Sequence, residues 1–327
     1  MIYKKVAKIE EKISAIGIGC WNMGGDWDSS DEKTSIDIIH AAVDMGINFF
    51  DVAPVYGWGA SETILGKALK GSLRDKVLIA SKGGLLWDRL HHTTNNLSKE
   101  SLLKEIDDSL RRLQTDHVDI YQMHWPDHNV PLEETAEALT ILKQAGKIRY
   151  VGLSNFSAAD VETMMSYISV DCQQGLYNML ERNPQTYHGI PLEYKTEAEI
   201  LPQVKKYGQA YLPYSPLFQG LLAGKFLNGI DFSANDIRNA NPKLSGEQFE
   251  VYRAGAQKIK DFADAIGRPM NEVALNWMRQ KEEITSIIGG ASSVAQLEKN
   301  IRCTTWELTQ EELKQLDLIL APFENMP

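Results

Sequence analysis

Cysteine is scarce. The 327-residue chain has three, Cys20, Cys172 and Cys303, far apart and odd in number. That argues against a disulfide framework or the paired spacing of a zinc site, so no metal is expected, and a reducing, cytoplasmic setting fits. Long apolar runs are also missing. Nothing approaches about 18 uninterrupted apolar residues, and the opening MIYKKVAKIEEK has no apolar signal segment, so no membrane span is expected. Net positive charge is lacking too. Lys and Arg number 34 against 44 Asp and Glu, which leaves −10 at pH 7 and disfavours nucleic acid and anionic membranes as partners. Finally, GIGCWNMGG lacks the third glycine of a G-x-G-x-x-G turn after the first apolar run, so an open doubly wound dinucleotide fold loses its signature.

What is present is a repeated strand-then-helix pattern. Apolar runs at 13–21, 47–53, 77–82, 118–124, 148–155, 170–178, 209–216 and 286–291 predict eight strands. Helical spacing follows at 33–45, 61–69, 98–113, 132–145, from 158, and at 197–207. Two more helical patterns come after an irregular insertion at 218–246, and two lie near Val294 and Gln310. Near-continuous apolar strands are covered on both faces, and helix-length connections make them parallel. Eight such units predict a closed (β/α)₈ barrel of TIM type: one domain over 1–327, with mouth loops and a C-terminal helical tail.

In such a barrel, active groups stand at the C-terminal ends of strands. The second strand ends in Asp51, the third in Lys82 and the fourth in His124, on neighbouring strands, and Tyr56 lies on the loop leaving the second. Singly, each has an ordinary role as cap, solvated strand end, packing aromatic or core histidine. Jointly they form a general acid with its tuning shell. A tyrosine is a poor acid near neutral pH, an adjacent ammonium is expected to lower its pKa, and a carboxylate keeps that ammonium charged. Histidine can donate to a substrate oxygen. No nucleophile comes with its own base, which argues against covalent hydrolysis.

At these residues the chain resembles the aldo-keto reductase superfamily, from Gly17 to about Phe323, with loops closest in style to bacterial inositol-utilisation and general-stress reductases. The landmarks run in family order: GIGCW, GINFFDVAPVYGWGASE, IASKGG, VDIYQMHWPD, GKIRYVGLSNF, QGLYNMLER, PYSPLFQGLLAGK and IIGGASSVAQLEKN. The resemblance implies NADP(H) or NAD(H) lying across the barrel mouth, with Asp51, Tyr56, Lys82 and His124 as the catalytic tetrad and Tyr56 as proton donor in reduction. It also implies a cofactor site of Gly19, Trp21, Asp51, Ser154, Asn155 and Gln174 early in the chain. Tyr214, Ser215, Leu217, Gln219, Gly220 and Lys225 follow from the insertion. Gly290, Ser292, Ser293, Gln296 and Asn300 complete it after the last strand, where a helix N-terminus suits anions. One departure matters. Positions 290–298 hold no Lys or Arg to grip a 2′-phosphate, and Lys299 is the nearest cation, so NADP versus NAD stays open.

Trp21, Trp27, Trp58, Trp87 and Trp125 follow the early strands and suggest an aromatic-walled substrate pocket for sugars, polyols, aryl aldehydes or ketones. His91 and His92 lie in the long loop 83–97 and lack a third metal ligand. The sequence supports an oxidoreductase acting on a small carbonyl or its alcohol. Two alternatives stand beside it: a nicotinamide-binding sensor with little turnover, and a lyase or isomerase using Lys82 as a Schiff base. It does not report oligomeric state.

Overall fold

Successive side chains on a strand point to opposite faces, and eight short strands use that rule to sort this chain. They are β1 (Ile16–Gly19), β2 (Phe49–Asp51), β3 (Leu78–Gly83), β4 (Val118–Met123), β5 (Ile148–Ser154), β6 (Cys172–Leu176), β7 (Ala210–Tyr214) and β8 (Ile287–Gly289). The computed structural model describes residues 1–25, 31–230, 232 and 236–326. The strands form one sheet, ordered β7-β6-β5-β4-β3-β2-β1-β8, and the hydrogen-bonded neighbours run parallel. At the seam Tyr211 of β7 bridges Ile284 just ahead of β8, and the Thr285 N–H donates to the Tyr211 carbonyl at 2.9 Å. The sheet is rolled into the expected barrel.

Inward-facing residues stack in rows. Phe49, Leu78, Ala80, Ile120, Tyr150, Cys172, Ala210, Leu212 and Ile288 form an apolar interior. Further along the same strand faces stand Asp51, Lys82, Gln122, Ser154, Gln174 and Tyr214. The outward face packs against helices in a second, larger core that includes Ile79, Val151 and Leu153.

The flanking helices are α1 (Glu32–Asp44), α2 (Ala60–Ala68), α3 (Lys99–Leu113), α4 (Leu132–Gln144), α5 (Ala158–Met165), α6 (Leu201–Tyr207), α7 (Gly246–Ala265), α8 (Met270–Arg279), α9 (Val294–Ile301) and α10 (Gln310–Leu320). Helix α3 shows why they form. Ser98 caps it by accepting from the Ser101 N–H, and Leu102, Ile106, Ser109 and Leu113 recur on one buried stripe. Gln114, with φ of 55°, ends it in a left-handed turn.

The structure differs from the sequence expectation in three places. The predicted first strand at 13–21 merges two elements. Residues Tyr3–Val6 and Ile9–Ser14 form an antiparallel hairpin, and only Ile16–Gly19 belongs to the barrel. The hairpin puts Ile9 and Ile13 into the interior cluster, where burial contributes roughly 1.5–3 kcal/mol per side chain. Lys4 Nζ fastens it by donating to the carbonyls of Arg279 at 2.7 Å and Lys281 at 2.9 Å, and Glu11 pairs with Arg149. Second, loop 83–97 contains an antiparallel ribbon, Leu85–Trp87 with Thr93–Asn95. Third, Thr196–Ile200 forms a wide π turn ahead of α6, so the helix predicted at 197–207 starts later.

All three cysteines are buried and free. Among the described residues no helix is long and apolar enough to cross a membrane, and no three His, Cys, Asp or Glu residues gather as metal ligands.

Candidate active site

The polar row at the strand ends is tightly joined. Lys82 is fully buried, and its Nζ lies 2.7 Å from Asp51 Oδ2, 3.2 Å from the Val52 carbonyl and 3.3 Å from Tyr56 Oη. The second Asp51 oxygen, Oδ1, accepts from Gln174 Nε2 at 2.7 Å and Gln122 Nε2 at 3.2 Å. The His124 ring meets the Tyr56 ring edge-on at 5.9 Å, and Trp21 stacks against Tyr56 from another side at 6.0 Å. The four residues far apart in sequence therefore share one rim.

Tyr56 is held by a backbone-to-backbone contact. It opens a short turn, Tyr56–Gly59, in which Gly57 has φ of 56° and Trp58 has φ of 55°. A Cβ on Gly57 would sit 2.0 Å from the Gly24 carbonyl oxygen, so only glycine lets the loop after β1 press against the loop carrying the phenol.

Burial first, then the Asp51 carboxylate and Cys20, hold the Tyr56 phenol well above its usual range. The sequence reading expects Lys82 to lower it, whereas the net balance at this site runs upward. The ammonium sits closer to Asp51 than to the phenol, and desolvation outweighs it. Burial, then Lys82, pushes the His124 imidazole well below its usual range. His124 is therefore neutral near pH 7, with one N–H to donate.

A cavity of about 660 Å³ opens above this row. Asp51, Tyr56 and His124 line it, and Lys82 lies beneath. Of the residues assigned to the dinucleotide, all lie on its wall except Ser293, which instead caps α9 by accepting from the Gln296 N–H. Two of the wall amides are already engaged. Gln174 holds Asp51, and Asn155 Nδ2 donates to the His124 carbonyl at 3.1 Å while its Oδ1 accepts from Tyr214 and Tyr194. Of the tryptophans, Trp21 and Trp125 line the cavity. Trp58 and Trp87 do not. Trp58 stacks on His91 at 4.2 Å and leans on Trp87 at 6.0 Å, because its left-handed backbone turns the ring outward onto the loop 83–97 ribbon. Trp27 lies outside the described residues.

Several residues of the site escaped the sequence reading. Gln122, buried beneath the wall against Asp51, carried a usable signal, since it precedes His124 by two and so shares its strand face. Tyr187, Arg238 and Arg302 carried none, because they come from loops and a helix end whose direction the sequence does not state. Lys225, Lys299 and Arg302 line the wall with no ion pair among the described residues, whereas Arg238 pairs with Asp236.

Comparison with known proteins agrees with this geometry. The model of the aldo/keto reductase family matches residues 15–321. The aldo-keto reductase YhdN of Bacillus subtilis is 36% identical, covering 98% of this chain and 94% of its own length. The L-glyceraldehyde 3-phosphate reductase of Escherichia coli O157:H7 is 30% identical, over 99% of this chain and 94% of its own. The structure of a glycerol dehydrogenase from Gluconobacter oxydans superposes with a TM-score of 0.86 at 33% identity, covering 99% and 97% of the two chains. With the rolled sheet, the rim and a family match over nearly all of its length in accord, this chain belongs to the aldo/keto reductase family.

Proposed function

We propose that the chain is an NAD(P)H-dependent reductase of a small uncharged aldehyde or ketone, reversible to the matching alcohol or polyol, with Tyr56 as the proton donor. The observation that carries this reading is the Asp51–Lys82–Tyr56 chain on the cavity floor, with His124 against the phenol. A phenol kept protonated by burial is a competent acid for a carbonyl oxygen gaining charge. Lys82 acts as that charge arrives, because the phenolate left behind lies beside an ammonium already fixed by Asp51. His124, neutral, donates a hydrogen bond and orients the carbonyl. Asn155 fixes the His124 backbone, and Gln122 and Gln174 fix Asp51.

The wall fits a nicotinamide dinucleotide. Ser154 and the Tyr214 ring flank the catalytic end, and three unpaired cations stand on the wall of an otherwise acidic protein. When bound, the dinucleotide supplies the hydride from C4 of its ring. Lys299 and Arg302, three residues apart at the end of α9, supply positive charge that segment 290–298 lacks. Both NADPH and NADH are therefore expected to be usable. The substrate end has a different character. Trp21, Trp125 and Tyr187 surround Tyr56 and His124, and the unpaired cations come from the insertion and the α9 end. An uncharged carbonyl fits that wall better than a phosphorylated one.

A panel of aldehydes, ketones and polyols, assayed with both cofactors and with phosphorylated counterparts, tests the reading. Turnover of unphosphorylated substrates is expected, together with loss of at least about 100-fold in kcat for Tyr56→Phe while cofactor still binds. Robust turnover by Tyr56→Phe refutes the assignment of the phenol.

A further inference from the structure

Behind the cavity wall lies a buried ion pair that the reaction above does not use. Glu181, on the loop after β6, and Lys243, at the end of the insertion after β7, meet at 2.9 Å with side chains only 4% and 2% exposed. Each is bound further. Glu181 Oε2 accepts from Asn178 Nδ2 at 2.6 Å, and Asn178 Nδ2 also donates to the Ser215 carbonyl at 3.1 Å. Lys243 Nζ donates to the Thr186 carbonyl at 2.8 Å. A second chain runs parallel to this one. Asn241 Nδ2 donates to Gln219 Oε1 at 3.1 Å, and Gln219 Nε2 donates to His188 Nε2 at 2.6 Å. Burial, then Lys243, pushes the His188 imidazole down to about 4, so its Nε2 remains free to accept near pH 7.

The two chains join two different walls. Tyr187 lines the substrate end of the cavity and stacks with Trp125 at 6.5 Å, and His188 lies 6.2 Å from Trp21. Ser215, Leu217, Gln219 and Gly220 line the side assigned to the dinucleotide. Gln219 and Tyr187 also border a void of about 10 Å³ behind the wall, shared with Glu181 and Lys243. The linked segments hold His188, Ser215 and Gln219 at φ of 49°, 54° and 52°, a left-handed conformation that persists only where surrounding contacts fix it.

We propose that Glu181 and Lys243 are positioning residues that lock the dinucleotide strap, the segment Ser215–Gly220 tied to Lys243 through Asn241, to the substrate wall at Thr186–His188, so that both walls open and close as one unit. This rests on the reductase reading for its substrate arm only. The cofactor arm is independent of turnover. A buried charge left without its partner is strongly unfavourable, so separating strap from wall is disfavoured while the pair is intact. Replacing both partners with neutral groups of similar size removes that penalty and leaves packing in place.

The test is the Glu181→Gln, Lys243→Met double variant, compared with wild type by stopped-flow NADPH release and by steady-state kinetics. Release is expected to accelerate about tenfold and substrate KM to rise about fivefold, with kcat not lowered, because no group touching the reacting atoms has changed. Asn241→Ala cuts the second chain and also removes the bond that Asn241 Oδ1 accepts from the Lys243 N–H at 3.1 Å. Asn241 does not line the main cavity, and its loss is expected to move both quantities the same way by about threefold. If the double variant does not fold, Asn241→Ala decides alone. Unchanged release and KM overturn the proposal, and so does a change in only one of them, since the claim is coupling. A wild type that releases NADPH but reduces nothing refutes the reductase reading and leaves the release comparison intact.

Discussion

A phenol pushed upward and an imidazole pushed downward make a definite pH signature. Reduction needs protonated Tyr56, and its folded pKa lies well above the usual range, so the acid form is complete at neutral pH. Reduction kcat/KM is expected to stay flat from about pH 6 to about pH 9 and to fall only beyond. Alcohol oxidation needs the phenolate and is expected to climb across the same interval. A reduction profile falling between about pH 6 and 7 would instead mark a histidine that must be charged, contrary to its environment. At this scale the sequence was informative where strand parity applies. Asp51, Lys82 and His124 were legible as inward strand ends, and Gln122 was available by the same rule. The sequence did not reveal that Gln174 and Asn155 already serve Asp51 and His124, because both have the same side-chain amide whether it faces ligand or neighbour.

The element that decides the site is the glycine contact between two loops. Gly57→Ala places a methyl group against the Gly24 carbonyl at a left-handed position. The turn must shift, and Tyr56 shifts with it. The expected result is a loss of about 100-fold in kcat, with cofactor affinity largely kept, read by kinetics and by NADPH fluorescence titration. Wild-type kcat in a folded Gly57→Ala would show that the contact does not set the phenol. Among the described residues, eight of the nine non-glycine positions with positive φ lie in loops after barrel strands, and Gln114 at the end of α3 is the exception. Such strain collects where a scaffold presents function. It also explains the tryptophan error. All five tryptophans sit after early strands in sequence, yet Trp58 turns away through a backbone conformation that its residue type does not announce. The strands and helices themselves were legible because their periodicity reflects burial. The hairpin under the barrel was not, since IEEKIS carries three charges between its two isoleucines and only Ala15 separates it from β1.

Over the whole molecule, two histidines buried in neutral form link stability to acid. Unfolded histidines take up protons near pH 6.5, while His124 and His188 in the folded chain do so only at lower pH. The unfolded state therefore binds more protons below about 6.5, and stability present above that value is lost as pH falls. Urea unfolding is expected to show a loss of about 1.5 kcal/mol from about pH 7.5 to about pH 6, of which His188→Asn recovers roughly half. No difference between the two pH values would mean that both rings reach solvent. The enclosed thiols have a practical outcome. Cys20, Cys172 and Cys303 are sealed inside the fold, so a cysteine introduced at exposed Ile190 or Leu90 becomes the sole handle for a maleimide dye. Each of those two loop tips can thus be followed separately, in solution, as ligands come and go.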